Sequence, residues 1–72
     1  MKYKNLIAKS FKEKLNKIEK NKKLDDFSWD SLTKITLITE VYKMYNKNLD
    51  YTKFDKTKTF DQLDKLIEKT VK

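Results

Sequence analysis

The chain has 72 residues, 40% of them charged and 38% hydrophobic, and a formal net charge of +7. It has no Cys and no His, which excludes disulfides, thiolate metal sites, the usual zinc ligand and the one side chain that ordinarily titrates near neutral pH. The length supports a single domain, residues 1–72, with a small core; no run is apolar enough to span a bilayer and the start Met1-Lys2-Tyr3-Lys4-Asn5 lacks the apolar stretch of a signal peptide, so a soluble, cytoplasmic, monomeric protein is expected.

The spacing predicts a first helix over Tyr3–Glu19. Tyr3, Ile7, Phe11, Leu15 and Ile18 recur three or four apart, with Leu6 beside them, and form one apolar stripe on a charged cylinder. This segment also holds the charge imbalance. Residues 1–24 contain nine Lys and two Glu, whereas residues 25–72 contain nine Lys and nine acids. Every basic residue is Lys. Arg, whose planar fork pairs bidentately with phosphate and guanine, is absent, and a composition rich in Lys, Asn and Ile without Arg, Gly or Pro fits an AT-rich coding sequence. The lysines therefore read as a solvated face. The alternative is a small basic helical nucleic-acid-binding domain, with Lys9, Lys12 and Lys14 as its contacts.

Asn21-Lys22-Lys23 ends this pattern and a long loop follows, in which Leu24, Phe27 and Trp29 are expected to turn inward. A second helix is predicted over Ser31–Tyr45. Asp30 suits its N-cap, because a carboxylate there accepts from free N–H groups of the first turn, and Asn46 suits the left-handed stop. Two apolar stripes run along this helix, Leu32/Ile35/Ile38/Tyr42/Tyr45 and Leu37/Val41/Met44, which predicts a central helix packed on more than one neighbour. The β-branched run Ile35-Thr36-Leu37-Ile38-Thr39 leaves a strand as the rival, although the longer pattern keeps the 3.6 period.

Residues 47–58 read as a connector anchored by Leu49, Tyr51 and Phe54, with Asp50 capping a short helical turn over Tyr51–Lys56. Thr59-Phe60-Asp61-Gln62 has the form of a capping box, and Phe60, Leu63, Leu66, Ile67 and Val71 give the last helix its buried face. The fold class is all-α, a bundle of four helices, three long and one short.

The residues Trp29-Asp30-Ser31-Leu32, at the head of the second helix, resemble the attachment site of acyl carrier proteins. From Phe27 to Ile67 the pattern of that family can be laid on without a gap: Tyr45 as the aromatic closing the second helix, Leu49 as the aliphatic return to the core, and Thr59-Phe60-Asp61-Gln62-Leu63 as the threonine-led last helix. Ser28, Asp50 and Thr57 depart from it, standing where glycine, proline and an aliphatic residue are common. The resemblance implies an acyl-carrier-like bundle without catalytic residues or a metal of its own. It implies that Ser31 carries 4′-phosphopantetheine derived from coenzyme A, and that Asp30 both caps the helix and helps a phosphopantetheinyl transferase recognise the serine.

The same resemblance places partner contacts at Leu32, Ile35 and Thr39. The implied partners are that transferase, an acyl- or aminoacyl-loading ligase and a downstream acyltransferase or synthase, with no nucleic acid and no membrane insertion. Leu32 is either an exposed contact or core, and Trp29 either core or a cover for the base of the arm. Members of the family present an acidic second helix, whereas here that helix offers Thr33, Lys34, Thr36, Thr39, Glu40 and Lys43, one acid against two bases, which implies a dedicated partner set in a specialised pathway of surface-glycan, lipid or secondary-metabolite assembly.

Overall fold

A computed structural model describes all 72 residues. Three α-helices, α1 (Lys4–Phe11), α2 (Ser31–Tyr45) and α3 (Phe60–Val71), are joined by segments holding short 3₁₀ helices at Leu15–Lys17, Leu24–Asp26 and Tyr51–Lys56. The chain is an all-α bundle in which α2 and α3 are the two long helices.

α1 is shorter than the apolar stripe predicts. It stops at Lys12, which is left-handed (φ 56°, ψ 40°), and the N–H groups of Glu13 and Lys12 donate to the carbonyls of Ala8 and Lys9. That paired closure satisfies the last carbonyls and turns the chain sharply. No apolar residue lies between Phe11 and Leu15 to hold another turn against the core. The result separates the two ends of the stripe: Ile18 is fully buried by a different route, and Leu15 is 46% exposed. The segment released from helix runs beside the start of α3. Leu24 N–H donates to the Lys58 carbonyl at 2.8 Å, and Phe60 N–H and Asp61 N–H donate to the carbonyls of Lys22 and Lys20 at 3.2 Å each.

α2 matches its predicted bounds, with Asp30 as N-cap and left-handed Asn46 (φ 57°) as its stop; it is a helix, not a strand. Its two stripes fare differently. Thr33, Leu37 and Val41 are buried, while Leu32, Ile35, Tyr42 and Met44 are largely exposed. Thr33, expected on the outward side, is core. α2 therefore packs through one face, chiefly against α1, and is not enclosed by neighbours on both sides.

The connector follows its residues except at Tyr51, expected as an anchor, which is 46% exposed with its ring edge on Phe54 at 5.6 Å. Leu49 and Phe54 are buried, and the Asp50 carboxylate accepts from the Thr52 N–H and hydroxyl. Thr57 is buried with its hydroxyl donated to the Lys53 carbonyl, so a polar side chain at an inward position costs no unmet hydrogen bond. At α3 the box is complete: Thr59 Oγ1 accepts from Gln62 N–H while Gln62 Oε1 accepts from the backbone of Thr59 and Lys58.

Thirteen buried hydrophobic residues form the core. Its spine is a series of rings. Phe27 meets Phe60 at 5.0 Å, Phe60 meets Phe11 at 5.2 Å, Phe11 stacks on Trp29 at 5.4 Å, and Trp29 meets Phe54 at 5.0 Å. These contacts tie α1, the long loop, the third 3₁₀ helix and α3 to one another. Trp29 is thus a half-buried structural residue seated on the core.

Two expected outcomes follow from this packing. Phe60→Ala removes the ring where α1, loop and α3 meet. Its cost of about 3–5 kcal/mol is comparable to the whole stability of a domain this small, so the far-UV circular dichroism of a helical protein should be lost at 25 °C. Lys12→Gly, which relieves a side chain held left-handed, should instead stabilise by about 0.5–1 kcal/mol, read as a rise in the urea midpoint; an unchanged or lowered midpoint would contradict the turn.

Candidate functional site at the head of the second helix

Asp30 is extended (φ −108°, ψ −178°), so its side chain folds back over the first turn of α2. The carboxylate accepts from the Thr33 N–H at 2.9 Å, and its backbone carbonyl accepts from Lys34 N–H at 3.0 Å. The Thr33 backbone N–H, and after it the Thr33 side chain, hold the Asp30 carboxyl below the ordinary aspartate range. An acid stabilised as its anion and occupied in this way is a poor general base for the neighbouring hydroxyl. No group of three or more His, Cys, Asp or Glu side chains converges anywhere in the molecule, and Asp25 and Asp26 are exposed on their own 3₁₀ turn.

Ser31 is the first residue of α2 and is exposed. Its alcohol stands at the positive end of a 15-residue helix, where a phosphate ester is electrostatically favoured. Lys34 lies one turn further, with its ammonium over the rings of Trp29 (5.3 Å) and Tyr51 (5.9 Å). The loop holding Trp29 is pinned by Phe11 and Phe54, so the core fixes the approach to Ser31 from the N-terminal side. Beside it an open cleft of about 400 Å³ runs between the end of α1 and the start of α2, bordered by Phe11, Lys12, Ser28, Asp30, Leu32 and Thr36.

The expected contact residues share the solvent side of α2 with Ser31. Leu32 is 70% exposed and Ile35 55% exposed, which settles Leu32 as surface, and Thr39 is exposed with its hydroxyl donated to the Ile35 carbonyl at 2.9 Å. Thr36 does the same to the Leu32 carbonyl at 2.8 Å. Both threonines turn their hydroxyls back onto the helix, so their methyl groups extend the apolar surface. Tyr42, 51% exposed, continues this row, although the spacing had placed it in a buried stripe. Ser31, Ile35 and Tyr42 stand four and seven apart, a spacing that shares one side of a helix, but it could not say that the side faces water.

Glu40, the acid on this helix, is mostly covered and shared between Lys9 at 3.1 Å and Lys43 at 3.9 Å. Lys9 is thereby engaged across the α1–α2 contact, Lys12 forms the turn that ends α1, and Lys14 is exposed beyond it. The atoms present can accept a substituent on the Ser31 oxygen: it is exposed, the helix end favours an anion there, and Lys34 adds a cation one turn away. They do not compose a nucleophile–base pair. Scans of protein-family models and of curated proteins return no match to this chain.

The lowered Asp30 pKa has a defined sign. Its contribution to stability is complete above the ordinary aspartate value and is lost as pH falls through the lower folded-state value. Carboxyl-carbon NMR should show Asp30 titrating below the ordinary aspartate value, and acid unfolding of Asp30→Ala should lack the corresponding loss. Asp30→Ser, which keeps a cap acceptor without the charge, should retain α2 and remove that part of the pH dependence.

Proposed function

We propose that this chain is a carrier protein of the acyl-carrier type, a non-enzyme that holds a 4′-phosphopantetheine arm on the Ser31 oxygen. The observation that carries the reading is the alcohol itself: an exposed serine on the first turn of α2, next to a capping aspartate, on the same side as the exposed apolar residues Leu32 and Ile35.

Each residue has a limited task. Ser31 is a tether and needs no activation within this chain, since base, metal and coenzyme A come with the phosphopantetheinyl transferase. Asp30 keeps the first turn wound, and so keeps the hydroxyl at a fixed position for that enzyme. The end of α2 and Lys34 offset the charge of a phosphodiester. Leu32, Ile35 and Thr39 form the surface beside the arm that a loading ligase, and then an acyltransferase or synthase, would meet. The arm, when attached, supplies a thiol on which an acyl or aminoacyl group is held as a thioester.

Incubation with coenzyme A and a broad-specificity phosphopantetheinyl transferase should raise the intact mass by one phosphopantetheinyl group, localised by fragmentation to Ser31, and Ser31→Ala should show no gain. Material from the native host that always has the bare polypeptide mass, together with failure to load in vitro, would remove the proposal.

A further inference from the structure

The cleft between the third 3₁₀ helix and α3 differs in charge from the two others on the molecule. It has a volume of about 260 Å³ and takes Lys53 and Lys56 from one wall and Lys65 and Lys69 from the other. No acid lines it. The cleft beside α2 includes Glu13 and Asp30, and the one near the chain start includes Glu19. Four cations from two elements therefore converge here with no anion between them.

Periodicity sets this convergence. A 3₁₀ helix repeats every three residues, so Lys53 and Lys56 stand one above the other and the exposed Asp55 is turned to another side. On α3, Lys65 and Lys69 share a face with Gln62 and Leu66. The remaining acids nearby are engaged elsewhere. Asp50 feels Lys53 but gives its carboxylate to the Thr52 N–H and hydroxyl, Glu68 pairs with Lys2, and Asp64 accepts from the chain start. Asp61 pairs with Lys65 at 3.1 Å without lining the cleft, and Lys53, Lys56 and Lys69 make no ion pair. The buried Thr57 spends its hydroxyl on the Lys53 carbonyl and its N–H on the Phe54 carbonyl. Gln62 is held by the capping box: its Oε1 accepts from the Lys58 and Thr59 N–H groups, which leaves its amide NH₂ as a positioned donor at the cleft.

We infer that this cleft binds a soluble oligophosphate, an anion with two or more linked phosphate groups. Lysine ammonium groups meet phosphate oxygens as point charges. Pairs of them on opposite walls suit charge spread along a short chain better than the single charge of one carboxylate. No aromatic side chain lines the cleft, so nothing stacks on a base and the phosphate chain is the recognised part. A duplex or a bilayer is met by cations spread along a surface, whereas these close on a small volume. The inference goes beyond the carrier reading and stands whether or not Ser31 is modified.

The test uses the full-length Ser31→Ala protein, which has no attachment oxygen, so its outcome is separate from the mass gain at Ser31. Inorganic tripolyphosphate is titrated at physiological ionic strength, without divalent cations, with amide NMR as the readout. Shifts should centre on residues 53–57 and 62–69, and tripolyphosphate should bind at least about tenfold more tightly than orthophosphate. Lys56→Gln/Lys69→Gln should weaken tripolyphosphate at least about tenfold. Lys14→Gln/Lys17→Gln removes the same charge from exposed positions of the first segment and should change its affinity less than about twofold. All four lysines are exposed, so the circular dichroism should be unchanged in both double variants. ATP should bind no more tightly than tripolyphosphate. Equal weakening by the two double variants, shifts centred on the lysines of residues 12–23, or equal affinity for orthophosphate and tripolyphosphate would overturn the proposal. So would tighter binding of ATP, or stronger engagement of the same amides by a Glu-rich peptide, a single-stranded RNA or phosphatidic acid vesicles than by tripolyphosphate.

Discussion

The contact of Phe11, Trp29, Phe54 and Phe60 is the constraint on which the rest of the structure depends. A 72-residue chain without disulfides or metal has a limited apolar area to bury. Large rings contribute the most per residue, and their edge-to-face geometry gives direction as well as area. Here the rings come from four separate segments, so one small cluster decides how α1, the loop, the third 3₁₀ helix and α3 are arranged. The loop before α2 is held twice: its backbone at residues 20–24 is hydrogen-bonded along the start of α3, and Phe27 and Trp29 seat their rings on Phe60, Phe11 and Phe54. The ring contacts are the nearer of the two to Asp30 and Ser31 and fix the approach to them.

Much of this was legible along the chain, in places where one residue type has one local use. Asp30, Asp50 and Thr59 announce helix starts because short polar side chains reach the free N–H groups of a first turn, and each does so. Asn46 marks a stop for the same kind of local reason. What failed were features decided by distant parts of the molecule. The stripe from Tyr3 to Ile18 has helical spacing, yet the backbone of residues 20–24 gains partners by lying along the start of α3, and the helix gives way at Lys12. The outer stripe of α2 has the same ambiguity. Periodicity identifies residues that share a side, and whether that side meets another element is a property of the fold. The site residues Asp30 and Ser31 were visible as a motif; their exposure, the Lys34 neighbour and the extension to Tyr42 required the packing.

Charge shows the same division. The second part of the chain is neutral by count, but its acids are not spread evenly over its surface. Asp30 and Asp50 cap helices, Asp64 receives N–H groups at the chain start, Glu40 bridges to Lys9 and Glu68 to Lys2. Lysines, which make no caps, are left on the outside. Asp25, Asp26 and Asp55 stay exposed among these lysines, and the lysine-rich first segment is partly neutralised by Glu40 and Glu68 from the second.

Asp64 carries a further consequence. Its buried carboxylate accepts from Tyr3 N–H at 2.8 Å and from Lys2 N–H at 3.4 Å, across sixty-one and sixty-two positions of sequence, while Tyr3 offers no side-chain cap to α1. Two N–H groups just ahead of α1 are thus met by a carboxylate of the last helix. Beside this contact the Lys2 ammonium pairs with Glu68 at 3.3 Å, so the segment ahead of α1 is fastened to α3 by backbone and side chain together.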